Sequence, residues 1–176
     1  MIPKLSTVLE HALDLLESSD NWCQGTDAQK NVMVLLPSTS FLKDTIGLPD
    51  EVLKVAQEYR SQAACHPNDP EATTWCSQGV LIRSIYDLTG WHPSPHGEEY
   101  LTLLRRAMAF LADHIEPEWI DQKVGKLVGT AGCKCSICTD EKVKHARHVV
   151  VFNDDSETTF EDVRLLFKRA LSTLQQ

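Results

Sequence analysis

The sequence lacks an apolar run long enough to cross a membrane. Its longest apolar runs, such as Val32–Leu36 and Val149–Phe152, have the length of a strand, whereas a membrane-spanning helix needs about 18 or more apolar residues. The first residues enter a helical pattern interrupted by charged side chains, so no secretory signal is predicted. We therefore expect a soluble, cytoplasmic protein with no membrane partner.

Basic residues are fewer than acidic residues. The chain has 17 Lys and Arg against 25 Asp and Glu, which gives a formal net charge of -8. Because binding to a phosphate backbone depends on positive charge, nucleic acid is not the expected partner. Low-complexity segments and long linkers are missing as well, so residues 1–176 are predicted to form a single domain that buries a core without cross-links.

Apolar residues recur at helical spacing through most of the chain. The pattern predicts helices over about residues 4–18, 49–64, 75–88 and 95–114, a helix opening at 116–118, and a last helix after 158. Thr158 and Glu161 have the spacing of a capping box that begins this last helix. The β-branched run Val149–Phe152 predicts a strand, and Val32–Leu36 fits either a strand or a short helix. The predicted fold class is α+β, predominantly α, with one or two short strands.

The sequence has six cysteines but no export signal, which favours thiols or metal ligands over disulfides. Three of them lie in a Cys/His-rich excursion at about residues 129–148. The same excursion contains two histidines that are three residues apart. Zinc binds four such ligands in tetrahedral geometry, and a glycine-flanked turn can supply three thiolates while the next helix supplies an imidazole. The predicted structural Zn²⁺ ligands are Cys133, Cys135, Cys138 and His145, with His148 as the alternative fourth ligand.

The spacing of this cluster leaves an alternative open, because only one C-x-x-C pair is present. The three thiols can instead lie in a loop beside solvated histidines. Together with nearby cations they would then form a small basic patch for a partner; these cations are Lys134, Lys142, Lys144 and Arg147.

Cysteines outside the cluster suggest a second chemistry. Cys76 lies near the start of a predicted helix, where the helix dipole stabilises a thiolate. A thiol enzyme also needs a base, and the histidines at 66, 92, 96 and 114 are candidates, with Asn153 or Asp154 to orient the imidazole. Their order defines no triad, and a buried cysteine is more often a packing residue. Packing is also the predicted role of the four tryptophans, which are expected in the core rather than in the lining of a pocket.

Four short motifs resemble a small family of phage and actinobacterial proteins of unknown function. The family has W-C-x-G, C-x-x-G-A-L and W-N-D elements and a final E-V-L helix. The matching segments here are Trp22–Gly25, Cys76–Leu81, Val151–Asp154 and Glu161–Val163. Phe152 and Val80 stand where the family has Trp and Ala, and the segment from Cys133 to His148 has no counterpart.

The resemblance implies a gross architecture and a phage context but no reaction, and it marks Cys23, Cys76, Asn153 and Asp154 as a candidate shared site. The expected function is a small accessory or regulatory protein, phage-encoded by resemblance, that acts by protein–protein interaction and is stabilised by zinc. A thiol-dependent hydrolase or transferase using Cys76 or Cys23 is one alternative. A virion or assembly component is another. No complete catalytic constellation is visible, so the sequence favours a non-enzymatic role.

Overall fold

The computed structural model describes residues 2–30, 49, 64–91, 97–120 and 141–176, and within 141–146 it describes the backbone alone. The helices and strands of these residues are α1 (Leu5–Leu15), β1 (Ala28–Lys30), β2 (Ala64–Cys65), β3 (Ala72–Trp75), α2 (Ser77–Thr89), α3 (Gly97–Ala112), α4 (Glu141–Asp154) and α5 (Phe160–Leu174). Residues 117–120 add a helical turn after α3. The α+β, predominantly helical class is confirmed. The segment Val32–Leu36, predicted as a strand or a short helix, and most of the predicted helix at 49–64 lie outside the described residues.

The strands form one small antiparallel sheet in the order β2-β1-β3. Ala28 of β1 lies opposite Cys65 on one side and Trp75 on the other. Trp75 also bridges to Trp22 in parallel fashion. The predicted helix start at Trp75 is therefore wrong: Trp75 ends a strand because its backbone pairs with two neighbouring segments, and α2 begins at Ser77.

The predicted strand at Val149–Phe152 is also wrong, because these residues form the last turns of α4. β-branched residues carry only a weak bias against helix, and packing of one helix face overrides it. Val149 and Asn153 lie four residues apart and are both fully buried, while α4 packs along α3. Residues 153–154 therefore end a helix instead of following a strand.

The carboxy-terminal helix is present as predicted, but its cap lies one residue later. Thr159, not Thr158, is the N-cap of α5, and Asp162, not Glu161, completes the capping box. Thr159 Oγ1 donates to Asp162 Oδ2 at 2.6 Å. Thr158 is buried instead, because the turn after α4 places its side chain against the protein.

The apolar core lies where the five helices pack together, and Ala28 and Trp75 of the sheet contribute to it. Its largest fully buried side chains include Tyr100, Phe167, Leu9, Leu81 and Leu111. The face of α1 formed by Leu5, Val8, Leu9 and Ala12 is buried, as the amino-terminal pattern predicts. Within the described ranges, no helix has the length and apolar character needed to cross a membrane.

Candidate functional site

Three segments that are distant in sequence meet at one place, which we call the junction. It consists of the loop Trp22–Asp27, the start of α2 at Cys76–Gly79, and the end of α4 at Asn153–Asp155. The four residues marked by the family resemblance all lie in these segments. The structure therefore brings the motif-bearing segments together, although they span more than 130 residues of chain.

The Asn153 side chain is the centre of the junction and is fully buried. Its Oδ1 accepts hydrogen bonds from Trp22 Nε1 at 2.9 Å, from the Ser77 amide at 2.9 Å and from Ser77 Oγ at 2.8 Å. Its Nδ2 donates to the Cys23 carbonyl at 3.1 Å and to Asp154 Oδ1 at 2.9 Å. One carboxamide thus links all three segments, and its polar atoms are committed to other protein groups.

The loop residues Gln24 and Gly25 add bonds to the end of α4. Gln24 Nε2 donates to the carbonyl oxygens of Asn153 at 2.6 Å and Asp155 at 3.0 Å. These carbonyls belong to the end of the helix, where no intrahelical donor is available. The Gly25 amide donates to Asp154 Oδ1 at 2.8 Å, and its φ of 74° lies in the left-handed region that favours glycine. Asp154 is therefore held by backbone and carboxamide donors.

Cys76 is the N-cap of α2, and its Sγ accepts a hydrogen bond from the Gly79 amide at 3.3 Å. Burial raises the pKa of the Cys76 thiol well above its usual value, and the nearby Cys23, Asp27 and Asp154 raise it further. The hydrogen bond from the Gly79 amide lowers this pKa. The helix start predicted to produce a thiolate is present, but burial and negative charge outweigh it and keep the thiol protonated.

These contacts oppose the nucleophile hypothesis for both thiols. Cys23 and Cys76 are each 4% exposed, and Cys23 Sγ lies 3.5 Å from the Thr26 carbonyl. A reactive cysteine lies in a partly exposed, electropositive environment, whereas this environment is buried and acidic. The junction has the properties of a structural tie between segments.

We expect iodoacetamide to leave Cys23 and Cys76 unmodified in the folded protein and to label both after unfolding, because a buried, protonated thiol is not nucleophilic. Half-buried Cys65 is the internal control and should react first of the three. Peptide mass spectrometry measures the labelling of each thiol. Rapid labelling of folded Cys76 below pH 8 would contradict this structural role and restore the thiol-enzyme hypothesis.

A buried phenol lies near the same carboxylate. Burial, with a smaller effect of the Asp27 charge, raises the pKa of Tyr100 to about 12. Tyr100 is 2% exposed, and its hydroxyl has no hydrogen-bond partner among the residues that the structure describes. Asp27 therefore acts on both Tyr100 and Cys76 and opposes the ionisation of each.

The free energy of unfolding is expected to fall as the pH rises above about 9, because Cys76 and Tyr100 ionise in the unfolded chain before they ionise in the folded one. Their stabilising contribution is complete below the ordinary pKa values and is lost as the pH rises toward the raised folded values. Each such group costs about 1.4 kcal/mol per pH unit in that window. Urea titrations over this range measure the loss. In Tyr100→Phe the decline above about pH 10 should be shallower, and an unchanged slope would contradict the assignment to Tyr100.

A Ser-His-Asp grouping that the sequence analysis missed lies on α1 and α2. His11 Nδ1 is 3.3 Å from Ser84 Oγ, and His11 Nε2 is 3.9 Å from Asp87 Oδ2. Ser84 is fully buried and its hydroxyl donates to the Val80 carbonyl at 2.7 Å. Because the serine proton points to a carbonyl and the oxygen is inaccessible, the grouping is a packing contact and not a catalytic triad.

The predicted zinc ligands Cys133, Cys135 and Cys138 lie outside the described residues. His145 and His148 lie on α4, so the prediction that a helix carries both histidines agrees with the structure. Of His145 only the backbone is described, and His148 is half-buried. Among the described side chains, no three His, Cys, Asp or Glu groups are placed to hold a metal ion.

A pocket of about 300 Å³ lies beside the carboxy-terminal end of α4, between the segment that follows α3, the helical turn at 117–120 and α5. Its apolar wall contains Ile115, Trp119, Phe152, Leu165 and Leu166. Its rim contains His114, Glu116, Glu157, Asp162 and Arg169. The sequence analysis missed this pocket and predicted Trp119 as a core residue, because its lining comes from separate segments whose approach no local pattern reveals.

Comparisons with known proteins gave one match. A family model described as "Family of unknown function (DUF6197)" matches residues 2–173. Neither the curated proteins nor the solved structures contain a match to the chain.

Proposed function

Because the chain belongs to this family of unknown function, we propose its role from its own geometry: a small accessory protein that binds another protein. The binding surface is the pocket with the exposed Leu165 beside it, which we call the pocket face. A cytoplasmic location and a phage origin are also parts of the proposal, and the phage origin rests on the motif resemblance alone.

The observation that carries the proposal is the apolar wall of the pocket, open to solvent. Leu165 is 44% exposed, and the rings of Trp119 and Phe152 meet edge to face with centroids 5.0 Å apart. Aromatic side chains in a pocket surrounded by polar groups are typical of the residues that dominate protein–protein binding energy.

The thiol-enzyme alternative has less support. Its four candidate residues form the junction, where the Asn153 carboxamide is fully buried and bonded on both sides. The Cys76 thiol is held in its neutral form by burial. A binding role requires neither group to react.

A structural zinc site remains part of the proposal. Its support is the sequence spacing of Cys133, Cys135 and Cys138 together with the helix that carries His145 and His148. A closed set of four ligands stabilises a fold and leaves no coordination position for a substrate. Such a site would hold the segment that enters α4, which in turn reaches both the junction and the pocket.

Protein purified without chelator or nickel affinity is expected to contain about one zinc ion per chain, by elemental mass spectrometry, because a four-ligand thiolate site retains its metal. Combined serine substitution of the three cysteines removes the metal. The matched control is Cys65→Ser, outside the cluster, which should keep it. Absence of zinc from the unaltered chain would leave the cluster as a thiol-bearing loop.

Photo-crosslinking tests the binding role. A benzophenone amino acid at position 165 should form a covalent adduct with one defined protein in cells of the natural host. The control position is Leu101 on α3, which is 38% exposed and not in the pocket. Adducts at both positions, or at neither, would refute the proposed binding face.

A further inference from the structure

The two buried thiols of the junction, Cys23 and Cys76, occupy matching positions in two paired segments. Trp22 and Trp75 form a parallel bridge, in which the Cys23 amide donates to the Trp75 carbonyl at 3.2 Å. Cys23 and Cys76 are the next residues along the two segments, and Cys76 keeps an extended backbone with φ -76° and ψ 174°. Paired segments lie about 4.8 Å apart, and residues directly opposite each other share a face. The bridge therefore makes the two cysteines neighbours.

The Asn153 carboxamide continues this pairing beyond the cysteines. In a regular parallel ladder, the Ser77 amide would donate directly to the Cys23 carbonyl. Here the carboxamide stands between them: its Nδ2 donates to the Cys23 carbonyl at 3.1 Å, and its Oδ1 accepts from the Ser77 amide at 2.9 Å. The two segments are thus joined on both sides of the cysteine pair, directly before it and through Asn153 after it.

The far end of the loop is also fixed against the start of α2. The Cys76 amide donates to the Asp27 carbonyl at 3.1 Å, and Gly79 lies so close to the same oxygen that a Cβ would not fit. A disulfide requires Cα atoms within roughly 4.4 to 6.8 Å of each other, with side chains directed toward one another. Backbone contacts at both ends of the loop hold Cys23 beside Cys76, so a bond between them needs no large rearrangement.

The surroundings of the pair favour a neutral bond over ionised thiols. Burial raises the pKa of Cys76 most, and the charge of Cys23 comes second, ahead of Asp27 and Asp154. The influence of Cys23 agrees with the closeness of the two thiols, and Cys76 Sγ also lies 3.7 Å from Asp27 Oδ1. A thiolate at this place is destabilised by burial and by negative charge. A disulfide carries no charge and is compatible with both conditions.

We propose that Cys23 and Cys76 are a redox-sensitive pair that a small-molecule disulfide of the glutathione type oxidises to a covalent bond. The thiolate of one cysteine attacks the small disulfide and releases one small thiol. The thiolate of the other then attacks this mixed disulfide and releases the second. The pair loses two electrons and two protons, and the small disulfide gains them as two thiols. Because both cysteines are buried in the folded chain, the attack takes place before the loop packs or when it opens.

The bond would change what the junction does in an intracellular protein. In the reduced chain the loop is held to α2 by hydrogen bonds alone, whereas the disulfide joins them covalently. Disulfides inside cells are usually transient and redox-sensing. The oxidised junction is therefore a locked form of the contact between the loop and α2. This inference is independent of the proposed binding at the pocket face.

The test refolds the reduced full chain in mixtures of oxidised and reduced glutathione and maps the bonds by mass spectrometry of a non-reducing tryptic digest. The Cys65→Ser variant is used because Cys65 and Cys76 otherwise share one peptide. In this variant the peptide 5–30 contains Cys23 and the peptide 61–83 contains Cys76, each as its one cysteine. We expect a link between these two peptides, lighter by two hydrogen atoms, to be the main product of both thiols under oxidising conditions.

Urea unfolding of the linked form then shows whether the bond matches the fold. The reference is the same Cys65→Ser chain refolded in reduced glutathione alone, so no residue of the junction is substituted. The linked form should unfold at a higher urea concentration, because the bond constrains the unfolded chain between positions 23 and 76. Separate glutathione adducts on the two cysteines, links that go mainly to the cysteines at 133–138, or thiols that stay reduced would overturn the inference. So would a linked form that unfolds at the same or a lower urea concentration.

Discussion

Asn153→Ala should lower the free energy of unfolding by roughly 3 to 5 kcal/mol. The substitution removes five hydrogen bonds at once and leaves the Trp22 indole, the Ser77 amide and the Cys23 carbonyl without this partner. Buried groups left unpaired lose their full desolvation energy, which is larger than the net gain from each bond. Urea unfolding followed by circular dichroism measures the change.

Two further variants make this result specific to the carboxamide. Asn153→Asp keeps the acceptors but replaces the donor to the Cys23 carbonyl and adds a charge next to Asp154, so it should also destabilise the fold. Ser156→Ala, at an exposed position in the turn after α4, should change the stability by less than about 0.5 kcal/mol. If Asn153→Ala were no worse than Ser156→Ala, the junction would not be a structural tie.

Gly79→Ala should destabilise the protein by at least about 4 kcal/mol. A Cβ at this position would lie 1.7 Å from the carbonyl oxygen of Asp27. That backbone oxygen accepts a hydrogen bond from the Cys76 amide at 3.1 Å. It therefore cannot move without breaking the contact between the loop and α2. The requirement for glycine here comes from close approach of two backbones.

Gly97→Ala is the matched control for this steric effect. Gly97 is the first residue of α3, and no atom of the described residues beyond its chain neighbours lies within 4 Å of its Cβ position. Alanine has the higher helix propensity, so this variant should be neutral or more stable by up to about 1 kcal/mol. Thermal unfolding of the two variants side by side measures the difference in stability. Similar losses of stability in both variants would show that the close approach of the two backbones is not the reason for glycine at position 79.

The junction also bears on the proposed binding pocket. Phe152, in the pocket wall, directly precedes Asn153 in α4, and the turn that follows α4 leads to Thr158 and Asp162. Loss of the Asn153 bonds would therefore loosen one side of the pocket. We expect destabilised junction variants to form less crosslinked adduct from position 165, even though Asn153 does not line the pocket.

The features of this fold that depend on local pattern could be predicted from the order of the residues. The apolar spacing of residues 5–16 and 160–174 predicted the first and last helices, because a long amphipathic face has one favourable way to be buried. The motif resemblance marked Cys23, Cys76, Asn153 and Asp154 as a shared site. The motifs alone do not indicate whether these residues take part in a reaction or hold segments of the chain together.

The remaining features depend on contacts between distant parts of the chain. Val149–Phe152 became helical because α3 offers a surface along which α4 packs, and Trp75 became a strand end because β1 and Trp22 pair with its backbone. The same long-range contacts made Cys76 a buried cap instead of a nucleophile and assembled a pocket from four segments. Each outcome depends on groups far apart in the chain, and packing against them outweighs the local propensities that a sequence pattern reports.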